Sequence, residues 1–165
     1  MTEYEMPVFE QEDFEAEEEK SKELGFLTFP VGEVNCALSV DCVAELIWDN
    51  LITPIPCVPD YYEGVCNWKG NIIPVVSMEA AAGNSAEPSA GQKIIIVVRS
   101  SGYECGFSVI GMPRMMNFSE KDAMGGEIPT AFGEILRIKG AYSGEDGPVY
   151  VIDEAELLNN LVVYS

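Results

Sequence analysis

The sequence predicts an all-β fold that ends in a short helix. Three observations carry this prediction: short runs of β-type residues are separated by Gly- and Pro-rich turns, apolar and polar residues alternate within the runs, and two stretches of the chain repeat. The chain has 165 residues and is 47% hydrophobic, so one domain or two small ones can bury a core.

The first β-type runs predict a hairpin. FLTFPVG (26–32) and VNCALSV (34–40) flank a Gly-Glu turn, and the second run alternates apolar and polar residues as a half-buried strand does. The run 41–48 is compatible with either a strand or a helical turn. Three prolines in TPIPCVP (53–59) predict an extended loop, because proline disfavours helix and cannot donate a backbone hydrogen bond.

The segment 64–78, GVCNWKGNIIPVVSM, predicts a second hairpin with Lys69 at its turn. Pro74 within its second run predicts an edge strand or a bulge, since a proline leaves one ladder position without a donor. Later strand-like runs are 93–100, 103–112, 133–144 and 148–158.

Two pairs of segments resemble each other along the chain. EVNCALSV (33–40) aligns with GYECGFSV (102–109) at an offset of 69, and GNIIPVVSMEAA (70–81) resembles GPVYVIDEAEL (147–157). This self-similarity indicates a duplicated unit of about five short strands. One such unit buries only a thin core, so we expect two small barrels packed against each other.

The repeat and the composition together predict the domain organisation. We expect a first barrel at about 24–80, a Gly/Ser-rich linker at 80–92, a second barrel at about 93–152 and a helix at about 153–161. Residues 1–23 contain ten acidic residues and two lysines with little apolar pattern, which predicts a disordered acidic tail.

The net charge of −19 narrows the range of partners. Nucleic acids and anionic membranes require clustered Lys and Arg, so this composition argues against both as partners, whereas a basic protein surface is compatible with it. No apolar run approaches 18 residues, and the acidic N-terminus does not resemble a signal peptide, so we expect a soluble intracellular protein.

The side-chain inventory argues against a metal centre and against the common enzyme classes. The five cysteines include no C-x-x-C pair and the chain has no histidine, so buried free thiols are expected rather than a zinc site. Without histidine there is no Ser-His or Cys-His triad, and neither a phosphate-binding loop nor a dinucleotide fingerprint is present.

Four motifs follow one another in a fixed order along the first half of the chain. F-L-T-F-x-x-G at 26–32 is followed by Val43-x-Glu45, then by P-I-P-x-x-P at 54–59 and G-V-x-N-x-K-G-x-I-I-P-V at 64–75. This ordered set resembles the CheW domain, the coupling protein of bacterial chemotaxis. The resemblance implies two packed five-stranded SH3-like β-barrels around a shared core. It also implies a non-enzymatic, cytoplasmic adaptor without a cofactor, which links chemoreceptor cytoplasmic tips to the regulatory domain of a CheA-type histidine kinase.

The resemblance further implies which residues contact the partners. The kinase-binding surface would be formed by Val43, Glu45, Glu63 and Gly64, and the coupling and receptor-binding positions would be Lys69, Trp68, Gly106 and Met112. Lys69 stands where the family has an arginine, so it keeps the charge but loses the bidentate fork. Val43 and Glu45 share one face if 41–48 is extended. Trp68 either packs over a barrel end or is an exposed contact.

The sequence departs from the family pattern at several places. Ser77-Met78-Glu79 replaces a frequent Asp-Leu-Arg, Ile110-Gly111-Met112 lacks an aspartate frequent in the second barrel, and the acidic tail is atypical. These departures indicate a divergent member. Two alternatives stay open from the sequence: coupling in a chemotaxis-like system that controls pili or gliding, and a pair of barrels that binds a small ligand in the groove between them.

Overall fold

A computed structural model describes residues 23–48, 51–84 and 91–162. The predicted acidic tail, apart from Glu23, and the middle of the predicted linker lie outside the described residues. The described chain consists mostly of strands in two sheets and has one short helix at its C-terminal end, so the predicted fold class is confirmed.

Most elements follow the predicted runs, but the strands Arg114–Phe118 and Ala131–Phe132 were not predicted, and the run 148–158 divides into a strand that ends at Ile152 and a helix that begins at Glu154. The strands are β1 (Leu24–Val31), β2 (Val34–Ser39), β3 (Val43–Trp48), β4 (Tyr62–Trp68), β5 (Asn71–Ser77), β6 (Lys93–Ser100), β7 (Tyr103–Ile110), β8 (Arg114–Phe118), β9 (Ala131–Phe132), β10 (Leu136–Gly144) and β11 (Gly147–Ile152). The helices are α1 (Met78–Ala81) and α2 (Glu154–Val162). The ambiguous run 41–48 contains both structures that it allowed: a 3₁₀ turn at Val40–Cys42 leads directly into β3.

The two sheets arrange the corresponding strands of the two repeats in the same order. The larger sheet has the order β8-β1-β2-β11-β10-β9, and the smaller has the order β3-β6-β7-β5-β4. In each sheet one parallel pair, β2 with β11 or β7 with β5, joins two antiparallel hairpins. The duplication indicated by the sequence is therefore present in the topology, with β9 as an addition to the larger sheet.

The strand order does not follow the predicted division of the chain at the linker. The hairpin β1–β2 from the first half joins β8, β10 and β11 from the second half, while β6–β7 joins β3, β4 and β5. Each repeat thus contributes its first hairpin to the sheet of the other repeat. A local pattern identifies a hairpin but not the sheet it enters, so 24–80 and 93–152 do not delimit the barrels.

Pro74 lies in β5, which is an inner strand between β7 and β4, so the edge-strand prediction is wrong. Thr53 exchanges both backbone hydrogen bonds with Val65 at 2.8 and 2.9 Å, so Val65 turns its polar groups away from its β5 partner Pro74. On the other side of β5 the parallel ladder begins one residue later, at Val75. Neither the pairing with β4 nor the pairing with β7 therefore requires a backbone N–H at position 74, where proline has none.

The five-stranded sheet curls until its two outer strands meet. In a flat sheet β3 and β4 would lie about 19 Å apart across four strand spacings. Instead, the indole N–H of Trp68 on β4 donates a 2.8 Å hydrogen bond to Glu45 on β3. The sheet is therefore closed into a barrel. Its interior is filled by a small cluster of buried side chains: Cys66, Trp68, Ile73, Val75, Ile95 and Val97.

The six-stranded sheet closes through aromatic packing. Phe118 on β8 stacks on Tyr142 of β10, with ring centroids 5.0 Å apart and planes 5° from parallel. Three other strands separate β8 from β10 in the sheet order, so this contact requires strong curvature. Phe26 packs against both rings and fills the interior of this second barrel.

One apolar core joins the two barrels. Alternate residues of β1 and β6 face opposite sides: Phe26 and Ile95 point into their own barrels, whereas Leu27 and Ile96 point into a larger cluster that both sheets line. Both helices contribute buried side chains to the same cluster. The two barrels are therefore built as one packed body, as the resemblance to the family implied.

We expect the two halves of the chain to fold only together. Fragments 1–87 and 88–165 each lack the hairpin that completes their sheet, so each alone should show an unfolded spectrum by circular dichroism and NMR. Mixed in equal amounts, they should form a 1:1 complex with the spectrum of the intact chain. Cooperative unfolding of either fragment alone would contradict the hairpin exchange.

Candidate functional site

The hairpin β4–β5 turns at Lys69 and Gly70. Both residues have positive φ, +51° and +85°, which is the signature of a two-residue type I′ turn that matches the strand twist. The Asn67 side-chain oxygen accepts a 3.0 Å hydrogen bond from the Gly70 backbone N–H and fixes this geometry. The turn holds the exposed Lys69 at the end of the barrel, next to β3.

Trp68 is buried in the five-stranded barrel, with 5% of its surface exposed. Of the two sequence alternatives, the structure therefore shows packing at the barrel end. The indole N–H still needs a partner in this apolar interior, and the Glu45 carboxylate accepts it. Trp68 thus joins the two edge strands and does not offer its ring as an open contact surface.

Lys69 completes the same contact from the solvent side. Its ammonium lies 3.7 Å from a Glu45 carboxylate oxygen and 5.3 Å from the centroid of the Trp68 ring. Arg99 at the end of β6 lies 5.6 Å from that ring and also pairs with Glu104 at 2.9 Å. Two cations therefore flank one buried indole, a cation–π arrangement that leaves both charges accessible.

Val43 and Glu45 lie on opposite faces of β3, so the prediction that they share one face is wrong. Val43 pairs with Val98 of β6, and Glu45 pairs with the adjacent Val97. Two steps along β3 thus match one step along β6, so Ala44 is the extra residue of a β-bulge. The bulge shifts the alternation by one position. Val43 packs against the shared core, whereas Glu45 reaches Trp68 and Lys69.

Glu63 is held by two neighbours on the same barrel. The Lys93 ammonium lies 3.2 Å from both carboxylate oxygens, and the Ser108 hydroxyl donates a 2.8 Å hydrogen bond to one of them. A second bulge, between Tyr62 and Gly64, places Glu63 in this position. Its carboxylate is therefore a partly exposed acidic group that is held in place by β6 and β7.

Gly64 is buried rather than exposed to a partner. A Cβ atom built there would lie 2.1 Å from the Thr53 carbonyl oxygen and 2.9 Å from the Pro54 Cα, both of them backbone atoms. Its φ of +147° also favours glycine. Gly64 is thus the position at which the loop 51–60 crosses β4 in close contact.

The remaining two candidates lie elsewhere. Gly106 is buried in β7, where an added Cβ would lie 2.7 Å from an Ile95 methyl group, so its proposed role as a contact is corrected to a packing role. Met112 is exposed after β7 and lines a cavity of about 250 Å³ with Pro30 and Arg114, next to the other barrel. The structure therefore does not bring the receptor candidates into one cluster.

Five residues form what we call the barrel seam: Glu45, Thr53, Gly64, Trp68 and Lys69. Sequence reasoning missed Thr53 and also Arg99 beside the seam. Period-2 alternation from Lys93 would have placed Arg99 on the same face as Lys93, and a threonine directly before a proline is biased to extended backbone. Neither pattern by itself indicates that β3 and β4 meet.

The cysteines behave as packing residues. All five are free thiols, and four of them are buried: Cys36, Cys42, Cys66 and Cys105. Burial raises the pKa of Cys36 and Cys42 to about 12 and also raises the pKa of Cys66 and Cys105. Among the described residues no group of three or more His, Cys, Asp or Glu side chains could hold a metal ion.

No helix in the described part of the chain is long and apolar enough to cross a membrane.

Comparisons with known proteins identify relatives over most of the chain. The family model for the CheW-like domain matches residues 25–162. A chemotaxis protein CheW from Thermotoga maritima is 29% identical over 142 residues, which cover 86% of this chain and 92% of that protein. A second, from Helicobacter pylori, is 26% identical over 106 residues, 64% of each chain.

A solved structure shares the fold. The crystal structure of the scaffolding protein TtCheW from Thermoanaerobacter tengcongensis matches with a TM-score of 0.71 and 24% sequence identity, covering 79% of this chain and 89% of that one. At that identity the match shows the architecture and leaves the roles of individual residues to the geometry of this chain.

We predict that thiol reagents distinguish Cys57 from the other cysteines. Cys57 is exposed, while burial and raised pKa values keep the other four thiols protonated and inaccessible near pH 8. Mass spectrometry after brief iodoacetamide treatment should show one modified site in the native protein and five after denaturation. Rapid native modification of Cys36 or Cys105 would contradict the packing described here.

Glu45 and Lys69 should differ in their effects on stability. Glu45→Ala leaves the buried indole N–H of Trp68 unpaired and should lower the free energy of unfolding by about 1–3 kcal/mol. Lys69→Ala removes an exposed ion pair and should cost about 0–1 kcal/mol. Urea denaturation measures both, and an equal or larger loss for Lys69→Ala would show that the closure of the barrel depends on the lysine.

Proposed function

Because the chain belongs to the CheW-like domain family, we propose that it is a coupling adaptor that links chemoreceptor cytoplasmic tips to a CheA-type histidine kinase. The family match over residues 25–162 is the observation that carries this proposal. The adaptor acts by position and has no reaction of its own. It works in the cytoplasm, as a peripheral component of receptor complexes.

The shared core supports a positional mechanism. An apolar cluster that both barrels and both helices line makes the two barrels one packed body. Two partners bound to different faces of such a body keep a fixed relative geometry, so a displacement of one is transmitted to the other.

We assign the kinase-facing surface to the region around the barrel seam. Glu45 presents a carboxylate there, and Lys69 presents an exposed ammonium beside it and beside the Trp68 ring. Glu63 presents a second carboxylate farther along β4, paired with Lys93. Gly64 is buried and contributes by shaping β4, whereas Val43 is half-buried and packs against the shared core. Opposite charges held in fixed positions favour specificity and orientation of a charged partner.

We assign the receptor-facing side to the surface that includes Met112. The side chains of Met112 and Met115 are 59% and 64% exposed on the connection into β8 and on β8 itself. Methionine adapts its shape to irregular apolar surfaces, which suits the apolar stripe of a receptor helix. Gly106 supports this side indirectly, through the packing of β7 against β6.

Charge reversal at Lys69 tests the proposal. The wild-type chain should capture the regulatory domain of a CheA-type kinase from the same organism at both 50 and 200 mM salt. Lys69→Glu should weaken that binding about tenfold, which is about 1.4 kcal/mol, because it replaces the exposed cation of the seam with a second acid beside Glu45. Its melting temperature should change by only a few degrees, since the side chain is exposed.

Lys121→Glu is the matched control, since Lys121 is an exposed lysine on the other barrel. Binding calorimetry should give wild-type affinity for this variant. If the wild-type chain binds the kinase at neither salt concentration, the proposed function is refuted. A large drop in the melting temperature of Lys69→Glu would instead assign Lys69 to the stability of the fold.

A further inference from the structure

We propose that a cavity at one end of the six-stranded barrel binds the N-terminal segment of this same chain, residues 1–22, and that the Phe14 ring is the group that enters it. We call this opening the tail cavity. It lies on the other barrel from the barrel seam, so the inference goes beyond the proposed function. The side chains that line it come from β1, β10, β11 and two connections: Leu24, Phe26, Val40, Met124, Tyr142 and Val151.

The tail cavity has room for an aromatic side chain and an aromatic floor to receive it. Its volume is about 580 Å³, whereas a cavity of about 150 Å³ is enough to hold benzene. Phe26 and Val151 are buried at its base, and the Phe26 ring packs against the Tyr142 ring with centroids 5.4 Å apart. A further ring that enters from the solvent side can therefore make offset or edge contacts with rings that are already in place.

The chain itself leads to the mouth of this cavity. Glu23 and Leu24 both line it and both are exposed. Leu24 leaves 56% of its surface exposed although it is a large apolar residue. A Cβ atom at Gly25 would lie 3.3 Å from a Val40 methyl group, so β1 enters its sheet against the cavity wall. The residues that precede Glu23 therefore begin at the cavity mouth.

Phe14 is the nearest large apolar residue before Leu24 in the sequence, because EAEEEKSKE (15–23) contains one small apolar side chain and is otherwise polar. Nine residues of chain span at most about 32 Å, which is enough for the ring to fold back into the cavity. A tether of this length holds the ring at a local concentration on the order of millimolar. A contact of millimolar intrinsic affinity is therefore enough to fill the cavity for much of the time.

The charges of the segment match those on the rim of the cavity. Lys20 and Lys22 are close to the mouth in sequence, and the exposed Asp41 lines the cavity there. The acidic run 15–19 follows farther from the mouth, and Lys139 on β10 lines the cavity with 44% of its side chain exposed. Each sign in the segment thus has an opposite sign on the rim, which favours this segment over a neutral small ligand.

Methyl NMR of the full chain tests the occupant directly, since Met124 lines the tail cavity. Phe14→Ser removes the ring, and Phe9→Ser is the matched control because it removes the same kind of ring five residues farther from the mouth. The wild-type chain, both variants and a truncated chain without residues 2–22 are labelled with ¹³C at the methionine methyl groups. Toluene, a free aromatic ring, serves as the probe for an empty cavity.

In the wild-type chain the Met124 methyl group should show a nuclear Overhauser contact with the Phe14 ring, and this contact should persist on dilution. Phe14→Ser and the truncation should move the Met124 signal to a common position, whereas Phe9→Ser should leave it where the wild type has it. Toluene should shift the Met124 signal of the truncated chain at a concentration that leaves the wild-type signal unchanged.

Identical Met124 signals in the wild-type and truncated chains, or an equal response of both to toluene, would overturn the inference. A contact that appears between differently labelled chains would assign the cavity to the segment of a second copy and would overturn it as well. Loss of the contact in Phe9→Ser would contradict the assignment to Phe14. The signals of Met112 and Met115, which lie outside the cavity, should stay unchanged in every variant, because the changes leave the strands intact.

Discussion

The hydrogen bond between the Trp68 indole and the Glu45 carboxylate is the contact on which the proposed function depends. It joins β3 to β4, the two strands that a flat sheet would hold farthest apart, and so converts a sheet into a barrel. The same carboxylate forms an ion pair with Lys69, and the outer edge of β4 binds the loop 51–60 through the backbone hydrogen bonds between Val65 and Thr53. Barrel closure and the proposed partner surface are therefore made by the same few residues.

The exchange of hairpins gives the second level of organisation. Two similar units could each have formed a separate barrel, but each contributes its first hairpin to the other. Neither repeat can then unfold without removing strands from both sheets, and the core between the sheets is continuous. For an adaptor that transmits position, this topology and the shared core connect the two barrels through packed side chains.

The limits of the sequence prediction are physical. Alternation in 34–40, the Lys69-Gly70 turn and the internal repeat are signals in the sequence itself, and they led to the correct fold class. The candidate residues of the seam came from the resemblance to the family. The bulge at Ala44, the crossing of Gly64 by Thr53 and the exchange of hairpins depend on which strands meet in space. Because β-pairing is set by contacts distant in sequence, those features could not be read from the runs themselves.

Hydrogen exchange at the two tryptophan indoles, followed by NMR, tests the central claim most directly. Trp48 is 43% exposed, whereas Trp68 is buried with its N–H bonded to Glu45. The Trp68 indole proton should exchange far more slowly than that of Trp48, and Glu45→Ala should largely remove this difference. Equally fast exchange of both indoles in the wild-type chain would show that the barrel is not closed by this bond and would contradict the account.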